Sequence, residues 1–365
     1  MESNLIQKNI SDDLALLEDM MMDLNKNYQV DTFWSNYQFD NHFRLKHFGL
    51  KDFRKLPNSY GGLSTVKSNF PGSKLALRIF YKIIRDLKLD WLPISIKRFL
   101  YIVFYAPRDD PSLIYTCYGG VILELINTLP HGDKLLEVQD SLSGKPTQTL
   151  ELRGKKYSLQ FIRYFFRLLV INRFMKLESE STSYYLEIGG GYGGYCEVLR
   201  KTYPNVKIVF IDIAPQLYVA EQYLKSVFPG KVAGYNETKQ LSIINSSAFA
   251  EKDILILPPW DIGKIEDNFI NNFSNQSSFQ EMSKETVNDY CDHLGRIIRN
   301  NVVLYEMREG NGSVEDPVLR EDYIRFLEKN GFKLVEEQIS AFGGHLRSDP
   351  SAPLSHQDFY FFSKK

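Results

Sequence analysis

Residues 184–194 read YYLEIGGGYGG, and this stretch decides the fold. Tyr184 to Ile188 form an aromatic and aliphatic run with little polar interruption, the pattern of a short buried strand. Glycines then occupy 189, 190, 191, 193 and 194, and Tyr195 to Thr202 continues in a helix-like pattern. Strand, glycine turn and helix start make a nucleotide-type binding elbow, because residues without a Cβ let a ligand lie against the backbone.

Two ligands suit such an elbow. Gly189, Gly191 and Gly194 satisfy G-x-G-x-x-G, the dinucleotide fingerprint, which alone is a weak signal. Glu187, Gly189, Gly191 and Gly193 also satisfy E-x-G-x-G-x-G. The carboxylate of Glu187 decides between them: it repels a pyrophosphate and attracts the ammonium and sulfonium of S-adenosylmethionine. Lys207 to Ile211 (KIVFI) reads as a second buried strand, ending in Asp212 with Ile213 beside it. A carboxylate about 20 residues beyond the glycines is placed to accept hydrogen bonds from both ribose hydroxyls. S-adenosylmethionine is therefore expected ahead of NAD.

At 365 residues the chain exceeds one average domain. The division expected is a mainly helical region, 1–178, covering an acceptor site, followed by a cofactor-binding domain, 179–365. A net charge of −1 gives no global electrostatic case for nucleic acid or an anionic membrane. The 25 Phe and 22 Tyr are many, and aromatic excess is mostly core. Cys117, Cys196 and Cys291 lie far apart, without metal spacing or a disulfide framework. Together with a polar N-terminus and no apolar run long enough to span a bilayer, this leads us to expect a cytoplasmic protein. A homo-oligomer stays open.

Along the chain, Ser11 to Asn25 has helical spacing, with Ser11 as N-cap and Leu14, Leu17, Met21 and Leu24 on the apolar face. Residues 33–73 are aromatic and loop-like, and 131–153 reads as a loop centred on Ser143-Gly144-Lys145-Pro146. Gln160 to Lys176 is a strong helix, apolar on most faces but carrying Arg163, Arg167 and Arg173. Beyond Asp212, strand and helix alternate: a helix over 215–228, a strand at Asp253 to Leu257, and Pro258-Pro259-Trp260. Residues 269–276 follow as a fourth strand despite their asparagines, then a helix from Ser283 to Arg299, a strand over 301–307 and a helix over 318–330. Lys231 to Tyr235 competes with Asp253 to Leu257 for the third strand, and the latter is preferred. The chain ends on two strands with no helix-length pattern between them, which implies an antiparallel last pair. The fold class expected is α/β, a class I methyltransferase Rossmann-like seven-stranded sheet with an antiparallel last strand, plus a mainly helical N-terminal extension.

The combination LEIGGGYGGYCEVL, FIDIAPQLYVAEQYL, LPPW and SSFQEMSKETVNDY resembles the bacterial sugar O-methyltransferase family over most of the chain, most closely from about 184 to 310. That resemblance implies methyl transfer from S-adenosylmethionine to a sugar hydroxyl, often on surface polysaccharide. By position it implies that Glu187, Gly189, Gly191 and Asp212 hold the cofactor, with Pro259 and Trp260 near the adenine. Asn275 and the SFQEM segment, Ser278 to Met282, would lie at the reacting end. Two features depart from the family pattern: Asn271 and Asn272 stand where an acidic residue is common, and the N-terminal loop reads SGKP.

A sugar hydroxyl is a poor nucleophile, so a base or a metal should help remove its proton. His345, in the loop FGGHLRSDP, is one candidate base, and Glu281 is another. Glu306 and Arg308 are candidates for binding sugar hydroxyls. Glu315 and Asp316 show no recognisable Mg²⁺ spacing, so a divalent metal requirement stays open. Alternatives are a small non-sugar hydroxyl acceptor, a non-catalytic cofactor-binding scaffold, and an NAD oxidoreductase.

Overall fold

The structure is a computed structural model, which describes residues 12–28, 30, 35, 38, 41–42, 45–46, 49–51, 53–54, 120, 122–146, 149–305, 307, 316–338 and 359–365. His345, Glu306, Arg308, Glu315 and most of 33–73 lie outside the described residues.

The first described element, α1 (Leu14–Asn27), is capped by Asp13, whose side chain accepts from the Leu16 N–H at 3.1 Å. This corrects the expected cap at Ser11, which is not among the described residues. Leu16, Leu17, Met20 and Leu24 are buried, whereas Leu14 and Met22 face solvent. Of the face expected, Leu17 and Leu24 are buried and Met21 packs against the core, whereas Leu14 is exposed and Leu16 and Met20 complete the buried stripe.

Residues 131–153 are more ordered than a loop. Gly132–Leu136 makes a 3₁₀ turn, and β1 (Thr149–Leu152) pairs antiparallel with β2 (Lys155–Ser158). Arg153 and Gly154 form the two-residue connection, both at positive φ (49° and 76°), as the twist of a tight hairpin requires. Ser158 then caps α2 (Leu159–Met175), accepting from the Phe161 N–H at 3.1 Å.

From here strands and helices alternate for most of the chain. The elements are β3 (Ser183–Ile188), α3 (Gly194–Thr202), β4 (Val206–Ile211), α4 (Gln216–Val227), β5 (Val232–Ala233), α5 (Tyr235–Thr238) and β6 (Ile254–Leu257). They continue through β7 (Ile270–Gln276), α6 (Lys284–Ile297), β8 (Ile298–Tyr305), α7 (Arg320–Lys329), β9 (Phe332–Gln338) and β10 (Phe359–Lys364). The sheet runs β5-β6-β4-β3-β7-β8-β10-β9, and β10 is antiparallel to both β8 and β9. Without β5 this is the strand order 3-2-1-4-5-7-6, counted from β3, of a class I methyltransferase Rossmann-like sheet. The expected seven strands become eight. Val232–Ala233 does not replace β6: it comes before it in the chain and adds an edge beyond it in the sheet, pairing parallel with Ile254 and Leu255.

Both faces of the sheet are covered, which is why its parallel strands read as continuous apolar runs. Tyr185, Phe210, Ile256 and Val303 pack on one face with α2, α3 and α4. Leu186, Val209, Leu255 and Val302 pack on the other with α6 and α7. The first of these clusters also takes in Leu16, Leu17 and Leu24 of α1, so the described parts of 1–178 share a core with the elbow. The asparagines of β7 are explained by side-chain pairing. Asn271 accepts from the Tyr184 N–H at 2.8 Å, and Asn272 accepts from Asn301 of β8 at 3.1 Å.

Candidate cofactor site

The glycine turn leaves the C-terminal end of β3 with the Gly189 N–H donating to the Ile211 carbonyl at 2.8 Å, extending the β3–β4 ladder by one bond. Gly189 has φ +72°, and a Cβ there would stand 2.2 Å from Ser278 Oγ, so both conformation and space demand glycine. Ser278 is itself pinned. Its Oγ lies 3.0 Å from the Ile188 carbonyl and 2.6 Å from Asn275 Nδ2, while Asn275 Oδ1 accepts from the N–H groups of Ser278 and Phe279. Asn275 is fully buried with both ends of its amide engaged, so it acts by shaping the turn under Gly189.

Asp212 closes the other side. Its Oδ2 accepts from the Gly191 N–H and its Oδ1 from the Ile213 N–H, each at 2.8 Å. Burial pushes the carboxyl up to about 7, and the two backbone donors pull against that shift. Each carboxylate oxygen keeps a second lone pair, so a vicinal diol can still be accepted. Pro259 and Trp260 open the short 3₁₀ turn after β6, with Pro259 buried and Trp260 packed against the core.

Glu187, at the end of β3, is a buried acid that the protein leaves partly unsatisfied. It is buried, and its Oε2 has no hydrogen-bond partner. Burial, then the neighbouring Asp212 carboxylate, push it up to about 8, and the Arg167 guanidinium pulls the other way. A buried carboxylate without a partner is costly, and a cation beside it relieves the cost. The side chains present therefore fit a ligand that carries positive charge at the glycine turn.

Sequence reasoning left out the residues facing the turn from α2. Arg167 is buried, with its guanidinium 5.5 Å from the Tyr164 ring and 5.7 Å from the Tyr305 ring. Strand register puts Glu187 opposite Ser274, and Gln276 two residues further along β7 opposite Tyr305, all on the sheet face that α2 covers. Both amide atoms of Gln276 are buried without a partner. The signal for Arg167 was present, a charge inside an apolar helix, but only the fold aims it. Glu281 sits partly buried in the turn Phe279–Glu281, just after β7, and Ser283 rather than Glu281 caps α6. No group of three His, Cys, Asp or Glu is placed to hold a metal ion among the described residues. No helix among them is long and apolar enough to cross a membrane.

No protein-family model matches the chain, and no curated protein matches it. Solved structures do. Magnesium protoporphyrin IX methyltransferase from Synechocystis PCC 6803, with bound SAM, is 9% identical, with 82% of this chain and 100% of that one covered at a TM-score of 0.36. The mitomycin 7-O-methyltransferase MmcR is 10% identical, covering 80% of this chain and 72% of its own at 0.35. A sarcosine dimethylglycine methyltransferase homologue from Galdieria sulphuraria is 14% identical over 50% of this chain, and the chain spans only 64% of that protein's length, again at 0.35. Likenesses this distant carry no argument about function, and the fold class rests on strand order and direction.

Proposed function

We propose that this chain is an S-adenosylmethionine-dependent O-methyltransferase and that its acceptor is a sugar hydroxyl. The observation that carries the cofactor is Glu187, a buried carboxylate with an unpartnered oxygen, set against a glycine turn that Asp212 ties down. Glu187 would face the positive end of the cofactor and Asp212 its ribose. Gly189, Gly191 and Gly193 would let the ligand approach the backbone, Ile213 would flank it, and Pro259 and Trp260 would border the adenine. When bound, the cofactor supplies an electrophilic methyl group on a sulfonium. The protein's own work is to hold the acceptor oxygen in line, exclude water and take up its proton. Positioning of this kind is worth up to about 7–11 kcal/mol of a barrier. The sugar acceptor rests on the resemblance of the SFQEM region and its neighbours to sugar O-methyltransferases.

Calorimetric titration with S-adenosylhomocysteine, with NADH in parallel, tests the cofactor. Micromolar binding of the first alone is expected, whereas binding of NADH instead would overturn the reading of Glu187. In the Asp212→Asn variant the affinity for S-adenosylhomocysteine should fall about tenfold or more, the worth of a hydrogen bond to a charged group. Wild-type affinity there would remove Asp212 from the ribose.

Glu281 is the candidate base among the described residues and His345 the candidate beyond them, with Glu306 a candidate for holding the acceptor's hydroxyls. The Glu281→Gln variant should lower turnover about 100-fold or more, as loss of a general base does, with S-adenosylhomocysteine affinity intact. An unchanged rate would pass the role to His345. Retained cofactor binding without turnover on any hydroxyl acceptor would instead favour a non-catalytic scaffold.

A further inference from the structure

One strand along the sheet from Glu187, the fold leaves a carboxamide unsatisfied. Gln276 ends β7, and both its amide nitrogen and its amide oxygen are buried without a hydrogen-bond partner. The residue is only partly buried, yet its polar atoms are turned away from water. Such an orientation is unfavourable in the free protein, because an orphaned donor or acceptor carries its whole desolvation penalty. The direction of the side chain follows from the pleat. Ser274, two residues back, meets the Tyr185 hydroxyl on the face that α2 covers, and no register shift separates Ser274 from Gln276. Gln276 therefore leaves the strand on that same face, opposite Tyr305 and in line with Gly189 on the other side. A second orphan lies above this end of the sheet. Asn301 of β8 donates to the Phe174 carbonyl at 3.4 Å, and Arg167 lies over the Tyr305 ring, so α2 runs antiparallel to β8. From Phe174 back to Gln160 the helix rises about 21 Å, whereas Asn301 to Tyr305 spans about 13 Å of strand. The first turn of α2 thus overhangs the carboxyl ends of the strands, and in it Gln160 Oε1 is buried without a partner.

The carboxyl ends of the strands read in a line: Asp212 after β4, Glu187 on β3, then Gln276 on β7. With the ribose at the first and the positive end of the cofactor at the second, a molecule that meets the third lies where an acceptor has to stand. An amide offers N–H donors and a carbonyl acceptor side by side. Its complement is a pair of neighbouring hydroxyls, one accepting from the nitrogen and the next donating to the oxygen. A carboxylate or phosphate would use the nitrogen and leave the oxygen opposed, and an apolar acceptor would satisfy neither atom. We propose that Gln276 is a specificity-determining residue of the acceptor site, gripping two hydroxyls on adjacent carbons of a sugar ring through Nε2 and Oε1. This rests on the sugar reading above and adds to it that the acceptor must present a vicinal pair, so that an isolated hydroxyl is a poor acceptor.

Deoxy sugars separate this from a structural role. The probes are the methyl pyranosides of mannose, rhamnose, galactose, glucose and fucose, titrated by NMR into protein saturated with S-adenosylhomocysteine, then the monodeoxy derivatives of whichever binds. At least one pyranoside should bind the wild type, and removing either hydroxyl of one adjacent pair should weaken it about tenfold or more. In the Gln276→Met variant the parent pyranoside should weaken by about that factor, and its monodeoxy derivatives should then bind within about twofold of it. The variant should hold S-adenosylhomocysteine within about twofold of wild type. Without ligand, its ratio of folded to unfolded protein should rise about fivefold or more, since no orphaned amide is buried. Equal wild-type affinity for the parent and every monodeoxy derivative would overturn the proposal without any variant. So would a variant that binds the pyranosides as the wild type does, or one less stable than wild type without ligand, which would give the amide a partner within the protein. Matching losses of S-adenosylhomocysteine and pyranoside affinity would assign the amide to the cofactor instead. Those outcomes leave the sugar reading standing, whereas a wild type that binds S-adenosylhomocysteine and none of the five pyranosides ends both.

Discussion

Replacing Arg54 by methionine should destabilise the protein by about 3–5 kcal/mol in urea denaturation, the usual penalty for stranding a buried charge. Arg54 lies almost wholly inside the protein and reaches Asp140 with both terminal nitrogens, at 3.3 and 3.4 Å. The same guanidinium donates to Ser158 at 2.5 Å and to the Ser143 carbonyl at 3.1 Å, and it lies over the rings of Tyr192 and Tyr223. Asp140 also accepts from the N–H groups of Leu142 and Ser158. Although burial alone would push its carboxyl up, Arg54 and these donors hold it below the ordinary range. That contribution to stability is complete above the unfolded carboxyl's value near 4 and is lost as pH falls further. Adding Asp140→Asn to Arg54→Met should recover part of the loss, because no charge is then stranded. A single variant as stable as wild type would show that the pair is dispensable.

Glu187→Gln should have the opposite sign in the ligand-free protein. The ordinary value for the side chain is 4.5, and in the folded chain it is pushed up to about 8. Between those limits the folded state keeps a proton that the unfolded state has lost, so stability falls as pH rises through the interval and levels off above it. Asp212, pushed up to about 7, titrates alongside and shares the effect. The variant should therefore exceed the wild type by about 2 kcal/mol near pH 8, with the gap closing towards pH 5. It should also lose most of its affinity for S-adenosylhomocysteine. At pH 7, wild-type binding should release protons, measured by calorimetry in buffers of differing ionisation enthalpy, and the variant should release fewer. A variant less stable than wild type at pH 8 would mean that Oε2 finds a partner within the ligand-free protein.

The parts of this molecule legible in the sequence are those carried by local pattern. Glu187, the glycines and Asp212 belong to one β-turn-α-β unit of adjacent residues, and their spacing alone places them. The antiparallel β10 followed from a missing helix before Asp358. The β1–β2 hairpin was also legible: Arg153-Gly154 between two short β-prone runs is a two-residue turn, overlooked among the neighbouring glycines and prolines. What no local pattern gives is pairing across distance. Arg167 and Glu187 are twenty positions apart and on different elements. Arg54 and Asp140 are 86 apart. The family resemblance put Asn275 at the reacting end, but its amide is engaged by the Ile188 carbonyl and by the turn that follows. Such outcomes depend on which groups are left unsatisfied once the chain has packed.

Tyr192 belongs to the glycine turn, yet its ring is covered by Phe53, Arg54 and Tyr164, all from the region before the sheet. A chain expressed from residue 179 onward would thus retain every glycine of the elbow and still expose that ring, with Tyr195 and Tyr223, to water. The Rossmann-like half is not a portable cassette. Transplanting or truncating it would yield an aggregation-prone fragment whose glycine turn lacks one wall.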